Sequence, residues 1–572
     1  MNSLCRVLRS LAIVACIGGI ALCRAQSNVG FGSLTELRTD SGRLSFGTIV
    51  SADVVSWSAS KAQDLMIAKY TPAVFQQPED STTFQVTVDR GADIGQNFGS
   101  LFEVQSEDGS ITIGAGFQNG YNTRYRADRH AIQFYVRSTQ SDEDVDVELL
   151  PRPNNLCGTY LYTRDDVVYS TYGGVRAWNP AAKQWQAAPE VGGTEETMRV
   201  GSGLLTFGDS TVQYDGRTIL QKPASGSYQL FFYADGYMCF YHVDRRDGAY
   251  RSFVSDDDGF SKLYACPWTS EQSEVDLSKA IVLTLPVVGE TTFAWGQFGK
   301  QIVTGSNIGG FYVLENGKWR MLLLPNMSVS YQLYSTVALN DRLLMGQYPT
   351  GRLFEYNGTT ITDRADWPLL LEGVTSSSRE AQTTAICGGE LFAGIWPWGE
   401  VWRYSPDAER WRFQQRMFSH PKLSKDTVHP YDVENRGHDV SNLWGQRITS
   451  LVTGGDSLFV STSAKYPCEW NADVFPFLAE EKWKSYGSVY RMKVPGHLGA
   501  KAEWTSGATV FEFTVSGREM TISQDGKRIG STAISGALAK KLEQQPKLKS
   551  VRWGTGIYGG FNGLRIDGKL VP

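Results

Sequence analysis

The chain has 572 residues, of which 41% are hydrophobic, 12% aromatic and 20% charged, with 59 glycines and a net charge of −5. This balance excludes general disorder, and an acidic chain offers nothing to attract nucleic acid or an anionic membrane. Abundant glycine beside abundant aromatics suits an all-β protein with many turns, and about 150 residues per domain points to several units.

Residues 1–25 read as a secretory leader. Arg6 and Arg9 precede an apolar run at residues 11–23, too short to span a bilayer as a mature helix. Cys23 and Ala25 then place small residues at −3 and −1, so cleavage is expected before Gln26. Loss of three arginines and no acids takes the charge from −5 to −8. No second run of 18 apolar residues follows, so a secreted or periplasmic protein without a membrane span is expected. Five cysteines remain (Cys157, Cys239, Cys266, Cys387 and Cys468), an odd number at wide spacing with no CxxC pair. That pattern implies neither a disulfide framework nor a structural zinc site, and leaves room for a single bridge.

Residues 26–153 form the N-terminal β-region. FQVTV (84–88) and IQFYV (132–136) alternate with period two, and residues 101–113 read as a hairpin turned by Asp108-Gly109. Residues 154–497 repeat. Seven copies carry an apolar run, a glycine turn and a strand with an aromatic: 167–185, 204–219, 238–264, 301–319, 342–361, 390–411 and 457–494. The second of the two strands should start near residues 174, 211, 250, 310, 351, 399 and 487, spacings that include several near the 40-residue length of one propeller blade. Such a unit cannot bury both faces alone and must stack on its neighbours. In residues 498–572, Phe511, Phe513 and Val515 alternate, Met520 and Ile522 follow on a second strand, and a short helix is expected from Ser535.

The copies resemble kelch-like and Asp-box propellers. Ser255-Asp256-Asp257-Asp258-Gly259-Phe260-Ser261 matches the Asp-box pattern S-x-D-x-G-x-[ST], and Ser405-Pro406-Asp407 through Trp411 is a weaker echo without the glycine. The resemblance implies a seven-bladed β-propeller, with the box in a structural turn between outer strands on the far face. The ending WGTGIYGGFNGLRI (553–566) resembles the last strands of concanavalin A/laminin G-like jelly rolls, and residues 30–150 resemble the opening ones. Two arrangements stay open: one sandwich split by the propeller, or two small β-domains.

No HExxH, P-loop or GxSxG occurs and no GxGxxG reads as a Rossmann fingerprint, so no cofactor is expected. The sialidase Arg-Ile-Pro motif is absent, Arg152-Pro153 lacking its isoleucine. In propellers the loops joining second to third strands, and one blade to the next, share a face that often carries sites. Two of these connections are long, 417–446 and 465–486, and should emerge side by side. Aromatics beside charges suit a sugar site, by ring stacking and by charged hydrogen bonds to hydroxyls or uronates. Trp396, Trp398, Tyr348, Arg436 and Trp470 are the candidate ligand contacts. His420, His429 and His438 lie nine residues apart, which is no recognised ligand spacing, so no metal is assigned. Two functions follow. One is a secreted binder of an extracellular glycan or cell-surface polymer. The other is a polysaccharide-degrading enzyme: a lyase with His438 or Tyr466 as base and Arg436 or Arg447 on a uronate, or a hydrolase with Glu469 and Asp439 as its carboxylates.

Overall fold

The computed structural model describes residues 50–571 apart from 57–68, 78–80, 90–100, 123–130, 139–144, 189–196, 245–258, 372–377, 428–444, 465–468, 470–478, 504–507, 544–547, 554–558 and gaps of one to three residues at 107, 119, 299–300, 329–331, 340–341, 366, 426, 517 and 567–568. The expected leader and its cleavage site lie outside the described residues. No helix among these residues is long and apolar enough to cross a membrane. Cys157, Cys239, Cys266 and Cys387 are buried free thiols.

The protein is built almost entirely of β-strands, and most belong to seven antiparallel sheets. In chain order the sheets occupy residues 160–187, 197–220, 227–284, 292–323, 332–364, 380–416 and 447–493, here numbered 1 to 7. Hairpin turns join the strands where residues tolerate positive φ, as at Asp215-Gly216 and Asn316-Gly317. The first strand of each sheet is innermost. Those of sheets 3 to 7 touch in succession, and Arg447–Gly454 of sheet 7 meets Tyr160–Arg164 of sheet 1. Sheets 1 to 3 continue the circuit through Arg199 on Asp165 and Phe207 stacked on Phe231. In sheets 3 to 7 the innermost strand is bulged against its neighbour, at Gln229/Phe232, Thr292/Trp295, Leu333/Ser335, Ala381/Thr383 and Ile448/Ser450. Each bulge bends the strand and strengthens its twist.

Sheet 7 takes only three strands from its own stretch of chain. Its fourth is Asp146–Leu150, antiparallel to Val489–Lys493. A domain boundary drawn at 153/154 therefore cuts off a strand of the ring, because the partner that satisfies its backbone lies more than 330 residues away. The boundary at 497/498 shifts too: His497–Lys501 pairs with Ala131–Ser138, outside the ring.

Two further sheets pack face to face. One is ordered Lys527–Ala533, Glu519–Gln524, Ala508–Val515, Ser81–Asp89, Lys69–Gln77, Val50–Ser56, Gly559–Ile566, Lys569–Val571. The other is His497–Lys501, Ala131–Ser138, Ile111–Phe117, Phe102–Ser106, Leu548–Trp553. Both mix strands from the two ends of the chain, as in the pairs Phe84↔Phe513 and Phe134↔Leu498. Phe84 stacks on Phe102 at 4.7 Å, and Phe513 meets Phe102 and Phe134 at 5.4 Å each. The helix Gly536–Glu543 turns Leu538, Ala539 and Leu542 onto this core.

The sandwich lies against the ends of the ring where first strands turn into second and third into fourth, called the lower face below. Arg137 on the sandwich bonds the Asp407 carboxylate and the Gly389 carbonyl, both in such turns of sheet 6. A Cβ at Gly389 would lie 2.2 Å from Arg137 Nη1. Only glycine allows the two modules so close. From the sandwich, Tyr121–Asn122 enters the ring and pairs with the innermost strand of sheet 5. Asn122 Nδ2 donates to Gln382 O at 2.8 Å, and Tyr121 meets Phe232 edge-on at 5.4 Å. The two-residue stub thus stands inside the ring against sheets 3, 5 and 6.

Candidate functional site

The upper face collects the loops between second and third strands and the connections between sheets. Of the Asp-box stretch, residues 255–258 lie outside the described residues, and Phe260 and Ser261 open the third strand of sheet 3. That third strand starts at Phe260 rather than near residue 250. The weaker echo occupies the outer-strand turn, and there Asp407 faces the sandwich.

The most densely charged part of the upper face lies over sheets 6 and 7. Glu380 and Arg447 each open an innermost strand. Arg447 Nη2 is 3.6 Å from Glu380 Oε2, an ion contact rather than a hydrogen bond, and its guanidinium lies 5.4 Å from the Trp396 ring centre. One residue before Glu380, Arg379 Nη2 reaches Glu400 Oε2 at 3.2 Å, and Trp402 Nε1 donates to the same oxygen at 2.7 Å. Burial pushes the Glu400 carboxyl up, opposed by Arg379 and Trp402. All four charged side chains are at most 7% exposed.

Trp398 sits beside this network at 5% exposure. It bridges to Gln446, and Arg416 Nε donates to its carbonyl at 3.0 Å. Arg416 Nη2 also reaches Gln446 Oε1 and the His420 carbonyl, both at 2.9 Å. Residues 417–421 and 446 are thereby tied to one base, which fixes both ends of the long connection. Gly399 has φ +61°, and a Cβ there would lie 2.4 Å from the Phe418 ring, so glycine is required where the connection packs. The second insertion arrives alongside: Phe418 and Tyr486 are 4.9 Å apart, and the His420 ring is 6.3 Å from each. Burial, then Lys482 and Arg416, push the His420 imidazole down.

These positions correct part of the sequence-based assignment. Trp396 is fully buried, with the Arg447 guanidinium over its ring, and Trp398 is 5% exposed, so neither offers an open ring face for stacking. Arg447 is engaged by Glu380 and Trp396 instead of awaiting a uronate. Tyr348 is half-buried one sheet away, and Glu469 is exposed in the second insertion. Arg436, His438, Asp439, Tyr466 and Trp470 lie outside the described residues. Sequence reasoning missed Arg379, Glu380, Glu400, Arg416 and Gln446. A charge opening the innermost strand of two successive sheets was the signal available, at Glu380 and Arg447. Chemically, each buried carboxylate is neutralised by an arginine, which makes a rigid base under the two insertions. Among the described residues, no cluster of His, Cys, Asp and Glu could hold a metal ion.

No family model and no curated relative matches the sequence. Solved structures similar to this chain include two β-propeller proteins. YCF48 bound to D1 peptide has TM-score 0.30 and 11% identity, over 62% of this chain and 97% of that one. BamB from Moraxella catarrhalis has TM-score 0.23 and 12% identity, over 64% and 99%. Trypanosoma rangeli sialidase has TM-score 0.21 and 9% identity, over 91% and 96%. These likenesses are remote, and the architecture above rests on its own strand pairing.

Proposed function

We propose that the protein is an exported seven-bladed β-propeller with a concanavalin A/laminin G-like sandwich split across its two ends, and that it binds an extracellular glycan or surface polymer without chemical turnover. One observation carries the reading: the two long upper-face insertions meet at Phe418, His420 and Tyr486 over a locked ionic base. Paired insertions of this size on a rigid base suit recognition of an extended polymer. The buried carboxylates nearby are held in ion pairs, which suits a support more than an acid–base pair. Contacts with the polymer are assigned to the insertions themselves, with Arg436, Glu469 and Trp470 as the first residues to test. Export rests on the leader at residues 1–25.

Affinity electrophoresis through gels containing neutral, sulfated or uronate polysaccharides tests the reading. Retardation by at least one polymer is expected, with no products by thin-layer chromatography and no rise in unsaturated-uronate absorbance. Product formation would replace it with the lyase or hydrolase alternative.

A further inference from the structure

A second feature of the upper face lies between sheets 4 and 5, away from the insertions. A cavity of about 380 Å³ opens there, within the size range of small-molecule sites. Its walls are Ile308 and Phe311 from sheet 4 and Leu333, Phe354 and Ile361 from sheet 5. Leu323 and Leu324 form the lip, 43% and 76% exposed, and Met327 on the same connection is 54% exposed. Single exposed leucines are ordinary, but two adjacent ones at the mouth of a largely apolar cavity, with an exposed methionine three residues on, are not.

The electrostatics of the cleft narrow its ligand. One residue in five of this chain is charged, yet residues 301–314 and 321–340 contain no charge at all. The charged lining residue, Asp363, is already paired with Arg352 at 3.1 Å. The nearby backbone is largely engaged too. The Ile308 carbonyl accepts from Asn326 N at 2.7 Å, and Gly310 N donates to Ser306 Oγ at 2.9 Å. A sugar would leave most of its hydroxyls unpaired against these walls, at a cost for each. A charged ligand would lose hydration beside a lining whose one charged residue already has its counter-ion.

We infer that this cleft is a second binding site, distinct from the insertions, for a small neutral ligand with an aromatic or branched aliphatic body. Such a body covers the lip leucines and gains affinity in proportion to the apolar area removed from water.

The neutral fluorophore N-phenyl-1-naphthylamine, titrated into the full chain, tests the inference. A saturable rise in emission at one equivalent is expected. Leu324→Asp should weaken that binding about tenfold or more. Leu149→Asp is the control: Leu149 is 61% exposed on the closing strand of sheet 7, and its loss should leave binding unchanged. Both side chains are exposed, so both variants should melt with the parent. A signal that never saturates, binding untouched by Leu324→Asp, or equal loss in both variants overturns the assignment.

Discussion

Two residues show how burial turns a polar side chain into a structural one. Arg447 lies between Glu380 and Trp396, so removing it strands a carboxylate in the interior. Arg447→Met should cost about 3–5 kcal/mol of stability, read as a lower urea midpoint, while polysaccharide retention per folded molecule stays unchanged. Lost retention at parental stability would return Arg447 to a ligand-binding role. His497 is the pH-sensitive counterpart. It accepts from Gly388 N at 3.1 Å where sandwich meets ring, and burial pushes its imidazole down to about 4 from 6.5. The folded state therefore prefers the neutral ring. The associated stability is complete above pH 6.5 and drains away as pH falls from there through 4, by roughly 3 kcal/mol. His497→Asn keeps an acceptor near Gly388 but cannot titrate. Its melting temperature should fall less than the parent's between pH 7 and pH 4.5, and parallel falls in both would refute the assignment.

Among the elements, the closing strand Asp146–Leu150 is the one whose partner comes from the far end of the repeat region. Glu148 stands opposite Arg491 in register and forms an ion pair with it. Directly paired antiparallel residues have Cα atoms within disulfide reach. Glu148→Cys with Arg491→Cys, oxidised, should raise stability by about 2–4 kcal/mol by restricting the unfolded chain. The lost ion pair is half-exposed and worth about 1 kcal/mol or less. An unchanged denaturation midpoint would show that the ring does not open at this seam. The same strand marks where the sequence stops being readable. The all-β class and the repeated hairpins were legible because short apolar runs recur between glycine turns, as at Asp215-Gly216 and Asn316-Gly317. Strands buried on both faces carry no period: Glu380–Cys387, Glu390–Trp396 and Glu400–Ser405 of sheet 6 are buried at every position. Glu380 and Glu400 open two such strands and were missed with them. Five residues at 146–150 and two at 121–122 are too short to show a pattern, and their partners are remote in sequence.

At the scale of the whole molecule, strands before the ring pair with strands after it. Removing residues 500–572 would take partners from Ser81–Asp89 and Phe102–Ser106 together. Hydrogen exchange in the truncated protein should then show residues 81–138 unprotected while sheets 2 to 6 keep their slow amides. Persistent protection of 81–138 would mean that the N-terminal flank folds alone.

The pairing of the two ends also sets a timetable for biosynthesis. Thr83 bonds Thr514 across 431 residues. At about 5–20 residues per second, the first half of the sandwich waits roughly 20–90 s for the second. Through that interval its apolar strands have an unpaired edge, the usual template for wrong association. The ring can assemble meanwhile, but it can shut only when Val489–Lys493 arrives and collects Asp146–Leu150. Residues 508–553 thus complete strands made some 430 residues earlier, and a helper that shields nascent strands would be needed for longer here than for a propeller whose sandwich is contiguous in sequence.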